Sequence, residues 1–338
     1  MSETRLPFKR TVRRFSAILL GFTVCAAGIV VTGSLLNSPG QLGMFNGGVP
    51  GTPEALAALK FAHENHIDQI INYSVINAAP KARDDYLVEA DHLGVSIIVS
   101  IKDLLGATDL DPPNAAFHQY YGNYVHPELK LAGQTPTIDQ QVEGIVKLLD
   151  PYPAVGGYYI SDELPQDPTG PESLAKWRDP LQHRYAQIHS LSHKPTKVSL
   201  YWTAGTSRVE FMRDVKQWTD ELMVDYYPFP EGAGHRLGPL AEIGQAGAAI
   251  SSSAGAHGWF IFQAFSWDVE PATAANLGFA PGSPAPDAAA MVNMARRAVK
   301  GGARNLALFS YEYMTKTPGQ TQEVRLALSK IRTMKGFE

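Results

Sequence analysis

Two adjacent carboxylates, Asp162 and Glu163, close an aromatic-rich run that begins Gly156-Gly157-Tyr158-Tyr159-Ile160-Ser161 and is followed by Leu164-Pro165. Cleaving a glycosidic bond takes one carboxyl to protonate the leaving oxygen and a second to attack the anomeric carbon or activate water. A glutamate held among aromatic walls gains the raised pKa that an acid requires. Plainer roles compete. Asp162 could cap the next helix or pair with a basic neighbour, and Glu163 could be only a solvated surface group.

A second carboxylate has to come from elsewhere in the chain. Asp225 and Glu312 are the candidates, with Asp268 and Glu270 behind them. Asp225 could instead orient a neighbouring tyrosine, and Glu312 could be an ion-pair partner for Lys102. Amides both donate and accept, so Asn46, Asn72 and Gln263 are candidates for binding sugar hydroxyls. The aromatics Tyr159, Tyr201, Trp202, Tyr227, Phe265, Trp267, Tyr311 and Tyr313 could stack on pyranose rings, with about half of them expected in the core. Lys102 would suit an anionic substituent or a nearby acid. His63 and His66 share a helix without forming a metal motif. No H-E-x-x-H, phosphate-loop or G-x-S-x-G pattern occurs. Neither a metal nor an organic cofactor is expected.

These residues need a scaffold. From residue 43 onward, short apolar runs alternate with longer amphipathic ones, the pattern of parallel β/α architecture. Strands are predicted at 44–49, 69–75, 96–102, 156–161, 197–202, 222–227, 259–265 and 306–311. Helices are predicted at 53–65, 81–93, 137–149, 171–190, 208–218, 240–252, 285–300 and 320–334. That arrangement predicts a (β/α)8 barrel. An open doubly wound sheet competes with it, but the Gly-rich run at 46–51 lacks the G-x-G-x-x-G spacing. In such barrels the site is built at the C-terminal ends of the strands, where the candidates above fall. The opposite ends show no comparable set. A long loop after strand three, with His118, Tyr120, Tyr121, Tyr124 and His126, would wall a cleft.

Residues 157–163 resemble the strand-four signature of many TIM-barrel glycoside hydrolases, in which an aromatic-rich strand ends in Asp-Glu, often followed by Pro. Here Leu164 intervenes before Pro165. Met223-Val224-Asp225-Tyr226-Tyr227-Pro228 resembles strand six of that group, and residues 259–265 its strand seven. Gly301-Gly302-Ala303 and then Tyr311 fit strand eight. The resemblance spans most of the barrel and implies a glycosidase-type site without naming the sugar. It also implies two departures. The largest clan of retaining members has Asn before the strand-four glutamate and a glutamate nucleophile on strand seven, where this chain has Asp162 and Gln263. A mechanism assisted by the substrate's own N-acetyl group stays open, although the spaced acidic series of chitinase strands is absent, with Tyr158 and Ile160 between. A non-catalytic carbohydrate-binding barrel at the cell surface, or a lyase or transferase on the same fold, are the alternatives.

Of the 338 residues, 44% are hydrophobic and 18% charged, enough for a large core. The net charge of -4 and the lack of a basic stripe beyond the N-terminus argue against nucleic acid as a partner. Residues 1–14 carry Arg5, Lys9, Arg10, Arg13 and Arg14, and residues 15–36 carry no charge. That is the pattern of a signal peptide or a membrane-spanning anchor, with the basic end left in the cytoplasm and the rest exported. A linker at 37–42 then leads to the domain at 43–338. The single cysteine, Cys25, lies in the apolar stretch, so the domain has no disulfide.

Overall fold

The computed structural model describes residues 40–104, 137–164, 171–202, 207–229, 240–272, 275, 282–334 and 337. The N-terminal basic and apolar segments and the aromatic loop at 105–136 lie outside them. Among the described residues, no helix is long and apolar enough to cross a membrane.

Eight parallel strands close on themselves in sequence order: β1 (Leu42–Phe45), β2 (Gln69–Asn72), β3 (Ser96–Ser100), β4 (Val155–Ser161), β5 (Thr196–Tyr201), β6 (Glu221–Tyr226), β7 (Gly258–Gln263) and β8 (Asn305–Phe309). The last pairs with the first through Gly43↔Ala307. Helices alternate with them: α1 (Pro53–Glu64), α2 (Pro80–His92), α3 (Ile138–Leu149), α4 (Pro171–Leu191), α5 (Ser207–Lys216), α6 (Glu242–Ala254) and α7 (Ala288–Gly301). After β8 come the short α8 (Tyr311–Lys316) and α9 (Gln320–Ile331). This is the (β/α)8 barrel, and it excludes the open sheet. Starts are set locally. Thr52 caps α1 with Pro53 behind it, Thr137 and Gln140 form a capping box on α3, and Asp287 caps α7.

The period-two pleat sorts each strand's side chains between two cores. Outward-facing residues such as Met44, Ile70, Val99, Tyr158 and Phe260 pack under the helices. The inward set is Phe45, Ile71, Ile98, Tyr159, Met223, Trp259, Ile261 and Ala307, joined at the top by Tyr227, Phe265 and Trp267. Trp259 fills the floor, and its fit depends on Gly43, where a Cβ would come within 3.2 Å of the indole. The indole N–H donates to Glu221 Oε2 at 2.6 Å, and the Lys197 ammonium pairs with Glu221 and lies 4.6 Å from the Trp259 ring centroid. Burial pushes the Lys197 amine down from its ordinary range, while Glu221 pulls it up. The N-terminal strand ends, where no set comparable to the mouth is expected, thus carry one polar group of their own: the buried Lys197 ammonium matched by the partly buried Glu221.

β4 departs from regular pairing. Its register slips against β3 between Ile97 and Ile98, and against β5 between Tyr159 and Ser161. A bulge re-aims the residues that follow it. Here those residues are Asp162 and Glu163.

Candidate active site

Asp162 is held by donors from four neighbouring strands, β2 to β5, or the residues just after them. Its Oδ2 accepts from Lys102 Nζ at 2.5 Å and from the Tyr73 hydroxyl at 3.1 Å. Its Oδ1 lies 2.5 Å from the Tyr159 hydroxyl and 3.2 Å from Ser199 Oγ. A carboxylate with about four acceptor positions has little left to offer a substrate once so engaged. The pairing with a basic neighbour is what the structure shows, and Asp162 is a fixed anion rather than a mobile base. Lys102 also lies 4.3 Å above the Tyr73 ring, which in turn stacks on Tyr159. With its charge matched by Asp162, Lys102 is not arranged to take an anionic substituent.

Glu163 has a left-handed backbone, φ 41, unusual for any residue but glycine. Its N–H donates to Ser199 Oγ at 3.0 Å. Its side chain opens to solvent at the mouth, yet the protein crowds the carboxyl, and burial raises its pKa, with the charge of Asp162 adding to the rise. The carboxyl hydrogen-bonds Asp225 at the end of β6, which is 2% exposed. Burial, and then the charge on Glu163, raise Asp225 well above the carboxylate range, while a hydrogen bond with Tyr227 opposes the rise. Two ionised carboxylates cannot bond one another, so the pair holds one proton between them. Of the two, Asp225 is the more buried, and Glu163, facing the mouth, is the one placed to hand that proton on.

Around this pair stand half-buried aromatics. Tyr73 flanks one side, and Phe309 and Tyr313, 5.6 Å apart and nearly perpendicular, stand nearby, with Phe45, Tyr227, Phe265 and Trp267 packed behind. The charge on Glu163 reaches Tyr73, Tyr227 and Tyr313 alike. Tyr313 donates to Glu270. Tyr201 ends β5, half-buried and level with Asp225.

Other candidates are placed elsewhere or already committed. Asn72 is 1% exposed and staples its own loop: its Nδ2 donates to Gly48 O and the Tyr86 hydroxyl, and its Oδ1 accepts from Ser74 N. Trp202 falls on the outward side of the pleat, in the outer core, with its N–H directed to Glu242. Tyr311 is not a strand end. It opens α8 and packs against Phe61 in the outer core. Gln263 is wholly buried and spends its amide on the backbone of Phe229 and Phe265. Tyr159 is wholly buried too, so it orients Asp162 rather than stacking on a sugar. Glu312 pairs with Lys316, not Lys102, and accepts from Asn46 Nδ2 at 2.9 Å, so these two sit together on the rim between β1 and β8. Tyr73, Ser199 and Phe309 were not anticipated, although their inward parity with Ile71, Lys197 and Ala307 was a usable signal. Among the described residues, no group of three or more His, Cys, Asp or Glu side chains could hold a metal ion.

No protein-family model matches the chain, and no curated protein does. Solved structures match it in fold. A GH5_18 protein from Streptomyces cattleya in complex with GlcNAc aligns with TM-score 0.54 at 12% identity, over 88% of this chain and 82% of that one. A variant of it in complex with Manb1-4GlcNAc aligns equally well, with TM-score 0.54 at 12% identity over the same shares. A class V chitinase from Pseudomonas fluorescens Pf-5 aligns with TM-score 0.51 at 13% identity, over 86% of this chain and 100% of that one. The architecture is thus the barrel fold found in glycoside hydrolases.

Proposed function

We propose that this chain is a glycoside hydrolase-like enzyme that cleaves a polysaccharide or glycoconjugate by acid catalysis, with Glu163 as the acid. The Glu163–Asp225 pair carries this reading. It is a shared proton at the mouth of the barrel, half open to solvent, ringed by aromatics and set beside the fixed anion Asp162. On substrate binding, Glu163 passes the proton to the glycosidic oxygen, the C–O electrons leave with the aglycone, and the carboxylates face the positive charge that develops on the anomeric carbon.

Asp225, 2% exposed and coupled to Glu163, serves as the partner of that acid rather than as a separate nucleophile. The attacking group is then water or the sugar's own 2-acetamido oxygen. The ligands named for the Streptomyces protein, GlcNAc and Manb1-4GlcNAc, make 2-acetamido glycans the first substrates to try. The basic residues ahead of the uncharged stretch at 15–36 support export or membrane tethering of the enzyme.

Hydrolysis of a glycan panel by the full chain, compared with Glu163→Gln, tests the assignment. Turnover by the parent that falls at least about a thousandfold in the variant, with binding kept, is the expected result. Binding by both without turnover favours the second reading, a carbohydrate-recognising barrel. The observation behind that reading is Gln263, whose amide stands on β7 and is given over to the backbone.

A further inference from the structure

Residue 199 touches three consecutive residues after the bulge. Its hydroxyl accepts the Glu163 N–H at 3.0 Å and lies 3.2 Å from Asp162 Oδ1, and its carbonyl accepts the Leu164 N–H at 3.3 Å. The same hydroxyl is 2.7 Å from that of Tyr159. Ser199 is 1% exposed and faces into the barrel. The slipped register between β4 and β5, which sets Ser161 against Val198, brings it level with the doublet.

We propose that Ser199 is a positioning residue for Glu163, its buried hydroxyl locking the left-handed backbone of Glu163 to the Asp162 carboxylate so that the Glu163 side chain meets Asp225. The proposal deepens the assignment of Glu163 as acid and rests on it. The chemistry of the position is restrictive. One small group must accept from a main-chain N–H and at the same time supply a hydrogen to the Tyr159–Asp162 cluster. Without it, the Glu163 N–H loses its partner in a crowded site. The backbone of Glu163 is then held only through its neighbours, Asp162 by its donors and Leu164 by the Ser199 carbonyl, and relaxation out of the strained region would turn the carboxyl away from Asp225.

The test compares Ser199→Thr with Ser199→Val in the full chain, two side chains of equal bulk that differ in the hydroxyl, with Ser199→Ala as the variant that adds no bulk. The protonated-carboxyl infrared band of the pair, identified by its loss in Asp225→Asn, is titrated in each. The band in the Val and Ala variants is expected to titrate at lower pH than in the parent, by half a unit or more, and to stay in place in the Thr variant. On a glycan the parent hydrolyses, kcat falls about 20-fold or more in the Val variant with KM within about threefold, and the Thr variant recovers it. Equal behaviour of the Thr and Val variants, or a parent-like band in Ala, overturns the proposal. If the parent hydrolyses no glycan, the acid assignment falls by itself, and the infrared comparison still decides whether Ser199 sets the pair.

Discussion

A carboxyl can serve as an acid well above pH 4 only if its surroundings keep a proton on it. In this site burial does so first; the next contribution is the anchored Asp162 charge for Glu163 and the charge on Glu163 for Asp225. The pH consequence has a definite sign. The folded pair binds its proton more tightly than the unfolded chain does, so its contribution to stability is complete below about pH 4 and is lost as pH rises through the raised values. Asp225→Asn removes that liability. Its urea midpoint should match the parent's near pH 4 and exceed it progressively at higher pH, as denaturation across a pH series will show. The same variant lets an amide donate to an ionised Glu163. Its kcat should therefore drop by about a hundredfold, and the descending limb of its pH–rate profile should move to lower pH. The doublet, and Asp225 beside Glu312 as candidates for its partner, were legible in the sequence because carboxylates at strand ends are few. The division of labour was not, since it depends on Tyr73, Lys102, Tyr159 and Ser199 converging on one carboxylate from separate elements.

Each strand was legible to within a few residues because its apolar run is short and bounded by turns, while the strand ends were read too far. The sequence 306–311 looks like one strand, yet Ser310 caps a helix there by accepting from Tyr313 N, and Tyr311 is carried outward with it. Parity sent Trp202 to the outer face as well, and the slip of β4 against β5 between Tyr159 and Ser161 has no sequence mark. Helices are fixed against each other by close approaches that sequence does not reveal. At Gly247 of α6, a Cβ would lie 2.3 Å from the carbonyl oxygen of Ala298 in α7. Backbone cannot yield as a side-chain tip does, so Gly247→Ala should cost about 1–3 kcal/mol through forced separation of the two helices. Thermal unfolding will show it, and because the contact lies in the outer ring, KM and kcat should stay at parental values.

The barrel is closed at one end and carries the candidate site at the other. Trp259, Lys197 and Glu221 form the floor, and about four residues of strand, roughly 13 Å, separate them from the mouth. Trp259→Ala should accordingly destabilise the whole domain by about 3–5 kcal/mol while leaving glycan affinity per folded molecule unchanged, as chemical denaturation and calorimetric titration would register. The close fit between Gly43 and the indole also bears on how such a chain can change over time. A methyl added at 43 would crowd the ring, whereas the same methyl would be welcome once a smaller side chain stood at 259, so the two effects will not add. Of the two orders in which both changes could accumulate, the one that shrinks 259 first passes through a loosened floor, and the one that enlarges 43 first passes through a jammed one. What a lineage of this barrel can reach at either position thus depends on which step it happened to take earlier.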